Sequence, residues 1–327
     1  MRFTHAPAVA FTVALMALSL PETPPDLRIS SSPQTGATAD IPWPDAPAPR
    51  GGVMRTIDTK DADGPARVRA PDTRSEVRFT LLGPVEILKD GVDHAPTAPK
   101  VLQLMSLLLL APGRVVPAGT IVDELWGERP PRSVRTTMQT YVYHLRRCIE
   151  LHGLAEDAEG MLATRPPGYV LRIAPEQVDV SQFTRHHRDG QALLASGRSA
   201  EAAAVLRDAL DLWAGPPLAN VACRDVLSRH AVALTDQLRH VRHLWAEAEI
   251  ASGGHRGLVA ELRSLAATDL LDEELHGQLI TVLARSGRRS EAMSTYHDLR
   301  RRLVDELGIE PSDSLRALHH ELLSDAV

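Results

Sequence analysis

Apolar residues change rhythm several times along this chain. Val9 to Leu20 is an almost unbroken apolar run behind Arg2 and His5. From Pro21 to Glu76 no period is visible, and Pro, Gly, Asp, Ser and Thr dominate, so this stretch is expected to be disordered. Around Val77 short extended patterns begin. Phe79-Thr80-Leu81-Leu82-Gly83-Pro84-Val85-Glu86-Ile87-Leu88 predicts two short strands around a Gly-Pro turn, and Asp90-Gly91 marks another turn. Val101 to Leu110, opened by Pro99 and closed by Pro112-Gly113, predicts a buried helix. Pro117 to Trp126, ended by Gly127, predicts a second, short helix, and Ser133 stands as N-cap of a third that reaches Leu151. Met161–Thr164, the turn Arg165-Pro166-Pro167-Gly168 and Tyr169–Ile173 read as a hairpin.

The third helix sorts its faces by period. Val134, Met138, Tyr141, Val142, Leu145 and Ile149 make the inward stripe. The other face carries Arg135, Thr136, Gln139, Thr140, Tyr143, Arg146 and Arg147, and no carboxylate occurs between Arg129 and Ile149. Gln can bond adenine edges, Arg can bond guanine or phosphate, and Thr can bond phosphate, which suits double-stranded DNA. A solvated helix face reads equally well from this helix alone. The short helix before it, the Pro130-Pro131-Arg132 turn and the hairpin with Arg165 at its tip favour a winged helix-turn-helix over residues 77–174. The candidate DNA contacts are Arg132 and Arg135 on phosphates, and Thr136, Gln139, Thr140 and Tyr143 on base edges. Arg146 or Arg147 falls to the backbone or a guanine, and Arg165 to the neighbouring groove or its phosphates.

Residues 175–327 read as helix throughout. Ser196-Gly197-Arg198-Ser199-Ala200-Glu201-Ala202 returns as Ser286-Gly287-Arg288-Arg289-Ser290-Glu291-Ala292, and Ser252-Gly253 lies one tetratricopeptide period before the second copy. Leu227, Ala231, Leu234, Leu238, Val241, Trp245 and Ala248 make one long seam. The predicted fold class is therefore an α+β winged helix-turn-helix domain followed by an all-α, tetratricopeptide-like helical-repeat domain. Such hairpins present concave protein-binding surfaces; a scaffold that only dimerises or braces the first domain is the alternative.

Composition adjusts this picture. At 43% hydrophobic and 24% charged residues, the 327-residue chain has a globular balance with room for about two domains. The net charge of −6 conceals a split, because the last segment carries 17 basic and 23 acidic side chains while the stretch from Arg129 to Arg147 is basic. Cys148 and Cys223 are too far apart for a zinc motif and suit a reducing cytoplasm. His186-His187, His319-His320 and the His240/His243 spacing raise the possibility of a metal enzyme. Adjacent histidines point to different helix faces, and no HExxH motif or nucleophile elbow accompanies them. No catalytic residue, metal or cofactor is expected.

Residues 1–76 admit three readings: an export signal, a membrane tether, or translated DNA upstream of a start at Met54. The third is favoured, because Arg50-Gly51-Gly52-Val53 requires G-rich codons like those of a ribosome-binding site. No membrane partner is then expected.

Several motifs together resemble the Streptomyces antibiotic regulatory proteins. Phe79–Val85 is similar to the family's opening signature, and Val122-Asp123-Glu124-Leu125-Trp126-Gly127 with Pro130-Pro131 to its second helix and turn. Thr137–Arg147 is similar to its recognition helix, and Arg165–Tyr169 to its wing. Ala209-Leu210-Asp211-Leu212-Trp213-Ala214-Gly215-Pro216-Pro217-Leu218 and Glu306-Leu307-Gly308-Ile309-Glu310-Pro311 look like hallmarks of its bacterial transcriptional activation domain. The resemblance implies an OmpR-type winged helix and a cytoplasmic activator of secondary-metabolite genes. It implies binding to direct repeats as head-to-tail pairs, and recruitment of RNA polymerase through the sigma subunit. A repressor on the same fold, or an exported or tethered regulator using residues 9–20, are the alternatives. No GxxxxGK[ST] loop is present, so ATP control in cis is not expected.

Overall fold

The computed structural model describes residues 77–324. The N-terminal segment 1–76, with the apolar run at 9–20 and Met54, and residues 325–327 lie outside the described residues.

Alternating inward residues build a small first sheet. Strands β1 (Arg78–Thr80), β2 (Glu86–Lys89) and β3 (Val92–Asp93) pair antiparallel in that order. The register sets Phe79 opposite Ile87, and both are buried. Asp90 and Gly91 turn β2 into β3 with φ of 53° and 78°, the geometry of a tight two-residue hairpin. Helix α1 (Pro99–Leu109) starts with Pro, whose fixed φ suits the first turn, and is buried from Val101 to Leu109.

The next segment departs from expectation. Val115–Pro117 forms a strand, β4, ahead of the short helix α2 (Ala118–Trp126), which starts at Ala118 and not at Pro117. Two consecutive Val residues favour extended backbone, and the φ that Pro prefers is compatible with a strand end. After α3 (Val134–Leu151) and the single turn α4 (Ala158–Met161) come β5 (Leu162–Arg165) and β6 (Gly168–Leu171). The second sheet has the order β4-β6-β5, so the hairpin is anchored by a third strand. Gly168 lies opposite Pro117, and a Cβ there would sit 1.9 Å from the Val116 carbonyl oxygen, so only glycine permits this approach. Ser133 occupies the N-cap of α3, but its hydroxyl caps no amide. Its carbonyl accepts the Thr137 amide at 3.0 Å.

The helical half follows a 3-10 turn at Pro175–Gln177. Helices α5 (Asp179–Ala195), α6 (Ser199–Leu210), α7 (Asp225–Ser252), α8 (His255–Thr268), α9 (Glu273–Arg285) and α10 (Arg289–Arg302) pack as three successive antiparallel hairpins. A π-helical turn (Leu303–Leu307) then leads to α11 (Asp313–Ser324). Gly197, Gly253 and Gly287 end the first helix of each hairpin with φ near 80°, which explains why Ser-Gly recurs in the sequence. Buried Ala202, Ala203, Ala246, Ala248 and Ala292 let the helices approach closely.

The two halves share their cores. Leu82, from the β1–β2 connection, is buried among the helical residues, while Leu218 and Leu227 are buried in the winged-helix core. Asp179, the first residue of α5, accepts the Leu81 and Leu82 amides on Oδ2 at 2.6 and 2.8 Å, and the Val180 amide on Oδ1 at 2.6 Å. Burial pushes this carboxyl up to about 6, against the pull of the three amides. The α6–α7 connection closes over the same turn. Ala214 N donates to Leu82 O, Leu218 N to Leu81 O and Ala219 N to Gly83 O, and the Asn220 amide exchanges two hydrogen bonds with Val85. The Leu-Leu-Gly-Pro-Val and Trp-Ala-Gly-Pro-Pro-Leu stretches, far apart in sequence, are thus two sides of one joint.

Candidate nucleic-acid interface

Recognition by a helix requires one face held rigidly and the other left free. Met138, Val142, Leu145 and Ile149 of α3 are buried. Tyr141 is half-buried and stacks on Trp126 of α2, ring centroids 5.9 Å apart at 14°. This contact ties the third helix to the second. Arg132, Arg135, Thr136, Gln139, Thr140, Tyr143 and Arg147 are exposed. At 3.6 residues per turn, Thr136, Thr140, Tyr143 and Arg147 form one row, with Arg135 and Gln139 beside it. Tyr143 is 62% exposed, its ring edge against His144, a residue the sequence reading left out that is also exposed on this helix.

Local hydrogen bonds fix parts of this face. The Thr140 hydroxyl donates to the Thr136 carbonyl at 3.0 Å, which leaves its oxygen able to accept. Arg147 meets Glu150 at 3.5 Å with both side chains exposed. Such an exposed pair contributes little to stability. Arg165 is exposed on the hairpin next to Pro166-Pro167.

Arg146 is the exception, and it corrects the expectation of an outward side chain. Its side chain is only 21% exposed, and the guanidinium turns back onto the hairpin. Nε and Nη2 donate to the Leu162 carbonyl at 3.0 and 2.9 Å, and Nη2 also to the Thr164 hydroxyl at 3.0 Å. Position 146 flanks the apolar stripe, four residues after Val142. The period therefore held a signal that the outward assignment ignored.

The helix ahead of α3 is held from the other half of the molecule. Glu124 of α2 is fully buried. Its carboxylate accepts the Arg224 amide at 2.6 Å, the Val226 amide at 2.8 Å and the Leu227 amide at 3.3 Å, capping the N-terminus of α7. Gln103 donates to the same carboxylate at 3.3 Å and to the Ala222 carbonyl at 2.8 Å. In sequence, Val-Asp-Glu-Leu-Trp looks like a helix with two solvated acids; nothing in it signals that the second acid is a cap.

Several of the histidines meet other side chains. His187 and His240 stand ring-to-ring at 5.2 Å, and His319 stacks on Tyr296 at 4.0 Å. His243 bonds Asp272 at 2.8 Å and Glu274 at 3.0 Å. Among the described residues there is no group of three side chains that could hold a metal ion, and no helix long and apolar enough to cross a membrane.

Comparison with known proteins places this geometry. Residues 94–171 match the family described as "Transcriptional regulatory protein, C terminal", and residues 178–323 match the "Bacterial transcriptional activator domain". The regulatory protein DnrI of Streptomyces peucetius is 37% identical over 253 residues, covering 76% of this chain and 92% of that protein. The chain belongs to the Streptomyces antibiotic regulatory proteins. Other members are longer. AfsR of Streptomyces coelicolor is 33% identical over 76% of this chain, which spans 24% of its length. The solved structure of Mycobacterium tuberculosis EmbR, in complex with a low-affinity phosphopeptide, aligns with TM-score 0.72 and 33% identity, over 76% of this chain and 65% of that one. This antibiotic regulatory protein is thus a transcriptional regulator, with a winged helix followed by a helical activation domain.

Proposed function

We propose that this regulator is a sequence-specific DNA-binding activator, pathway-specific for secondary-metabolite genes, that places α3 in the major groove and recruits RNA polymerase. The observation that carries the reading is the exposed row Arg135, Thr136, Gln139, Thr140, Tyr143 and Arg147, which meets no acidic side chain before Glu150. An 18-residue helix is about 27 Å long, enough to lie along a groove while its far end stays in the core. Thr136, Gln139, Thr140 and Tyr143 face base edges. Arg132, Arg135 and Arg147 take phosphates, and Arg165 takes the phosphates beside the wing.

The helical hairpins, fixed to α2 through Glu124, are presented beside the DNA at a constant angle. That geometry suits contact with polymerase, through its sigma subunit, and head-to-tail pairing on direct repeats. The setting is the cytoplasm, on the nucleoid. Footprinting of the full chain on DNA upstream of its own gene, with and without RNA polymerase, tests this. Protection of direct repeats beside the −35 region that extends when polymerase is added supports an activator. Protection that excludes polymerase points to a repressor, and no protection at low salt removes the DNA-binding reading.

A further inference from the structure

A wing can read the groove beside a recognition helix only if its distance and tilt from that helix are fixed. In this chain the wing is a hairpin of two four-residue strands, with β5 on the sheet edge. An edge strand presents carbonyls with no strand partner, which would otherwise turn to water. The Leu162 carbonyl is one of these, and Arg146 fills it with two donors while a third bond reaches Thr164. Its remaining nitrogen, Nη1, stands 3.6 Å from Glu159 in the turn leading into β5. Among the described residues, Arg146 makes all the side-chain hydrogen bonds that join α3 to the hairpin. All three nitrogens of the guanidinium are therefore engaged within the protein, on a helix whose outer face is otherwise exposed.

We propose that Arg146 is a positioning residue: it sets the wing against the recognition helix, and its effect on DNA binding passes through Arg165 at the wing. The inference rests on the DNA-binding reading above. It assigns Arg146 a role that its place in a basic run disguises, since a run of arginines on this helix reads as a set of equivalent phosphate contacts. The planar fork is essential to the role. One carbonyl, one hydroxyl and one carboxylate are spanned by three nitrogens in fixed relation, which a lysine ammonium cannot reproduce even though it keeps the charge.

Charge retention and additivity separate positioning from direct contact. The full chain and its R146A, R146K, R165A and R146A/R165A variants are titrated, over a range of salt, against a mixed-sequence DNA duplex long enough to span helix and wing. A phosphate contact shows as about one unit in the slope of log affinity against log salt, and loss of folded protein alone does not change that slope. The expected result is that R165A and R146A each flatten the slope by about one unit and that the double variant flattens it no further. R146K is expected to behave as R146A. A double variant that loses about two units, or an R146K protein that keeps the native slope, would make Arg146 a direct phosphate ligand and overturn the proposal. So would an R146A or R165A protein with the native slope. Failure of the unsubstituted chain to bind the duplex at low salt is a different result, one that removes the DNA-binding reading itself.

Discussion

The carboxylate of Glu124 accepts the backbone amide of Arg224 at 2.6 Å, across 100 residues of sequence. A helix of the winged-helix half therefore caps a helix of the activation half, with no solvent between them, since Glu124 is fully buried. The joint is built from backbone amides and one acid, so it fixes orientation as well as contact.

Removing that acid leaves the Arg224, Val226 and Leu227 amides without their acceptor. A lost cap costs about 0.5–2 kcal/mol, and a buried donor left unpaired about 1–3 kcal/mol. Glu124→Ala is expected to lower stability by about 2–4 kcal/mol in urea unfolding. Glu124→Gln, which keeps one acceptor oxygen, is expected to fall between the two. An E124A protein as stable as the parent would refute the cap.

The halves should also depend on each other for folding. A fragment ending at residue 174 loses Leu218 and Leu227 from the winged-helix core and both the Asp179 and Glu124 joints. It is expected to unfold without a cooperative transition, or at a much lower temperature than the full chain, when followed by circular dichroism. A fragment melting as sharply as the intact protein would show that the joint contributes nothing.

Legibility in the sequence tracks how local each cause is. The faces of α3 follow from helical period, and Gly197, Gly253 and Gly287 announce their turns because a left-handed residue is a local need. Strand β4 is three residues long and ends on Pro117, so a proline that ends a strand looks in sequence like one that opens a helix. The Asp179 and Glu124 joints depend on partners about 100 residues away, and a buried acid that caps amides looks in sequence like any surface acid. The inward turn of Arg146 is hidden for a similar reason: its bonds go to the Leu162 carbonyl and the Thr164 hydroxyl, and a backbone acceptor has no signature in sequence.

The glycine at the turn of the wing is a specific test of the β4–β6 contact. A Cβ at Gly168 would lie 1.9 Å from the Val116 carbonyl oxygen and 2.8 Å from Pro117 Cα. Backbone cannot yield as a side-chain tip can, so G168A must push β4 from β6. Overpacking of this kind costs about 1–3 kcal/mol. The variant is expected to lose stability and, by shifting the hairpin, affinity for DNA. Unchanged thermal unfolding would contradict the strand pairing.

Two buried groups give stability a common dependence on pH. Burial pushes Asp179 up to about 6 from the ordinary 3.8. An acid raised in the folded state contributes most below its unfolded value, and the contribution is lost as pH rises to about 6. Burial opposes the His243 imidazolium. Its hydrogen bond to Asp272 and the charges of Asp272 and Glu274 outweigh that cost and raise it above the usual histidine range. Its stabilisation is full below that range and is lost as pH rises through the raised value. Both contributions fall with rising pH, that of Asp179 between about pH 4 and 6 and that of His243 above the usual histidine range. His152, His187, His230 and His319, lowered by burial, act the other way, so the two are read as differences from the melting profile of the parent. Asp179→Asn should remove the lower of the two falls and His243→Gln the upper. Profiles parallel to that of the parent in both variants would disprove the assignment.

The central claim is that the outer face of α3 reads DNA, and Arg135 and Gln139 test it most directly because they stand side by side with different roles. The measurement is the affinity of the full chain, R135A and Q139A for the footprinted repeat and for single-base variants of it, across a range of salt. Arg135→Ala is expected to weaken binding to all sequences alike and to flatten the salt slope by about one unit. Gln139→Ala is expected to keep the slope and lose about 1–3 kcal/mol of discrimination at one base pair. If both variants bind every duplex as the parent does, α3 is not the reading helix and the account is wrong.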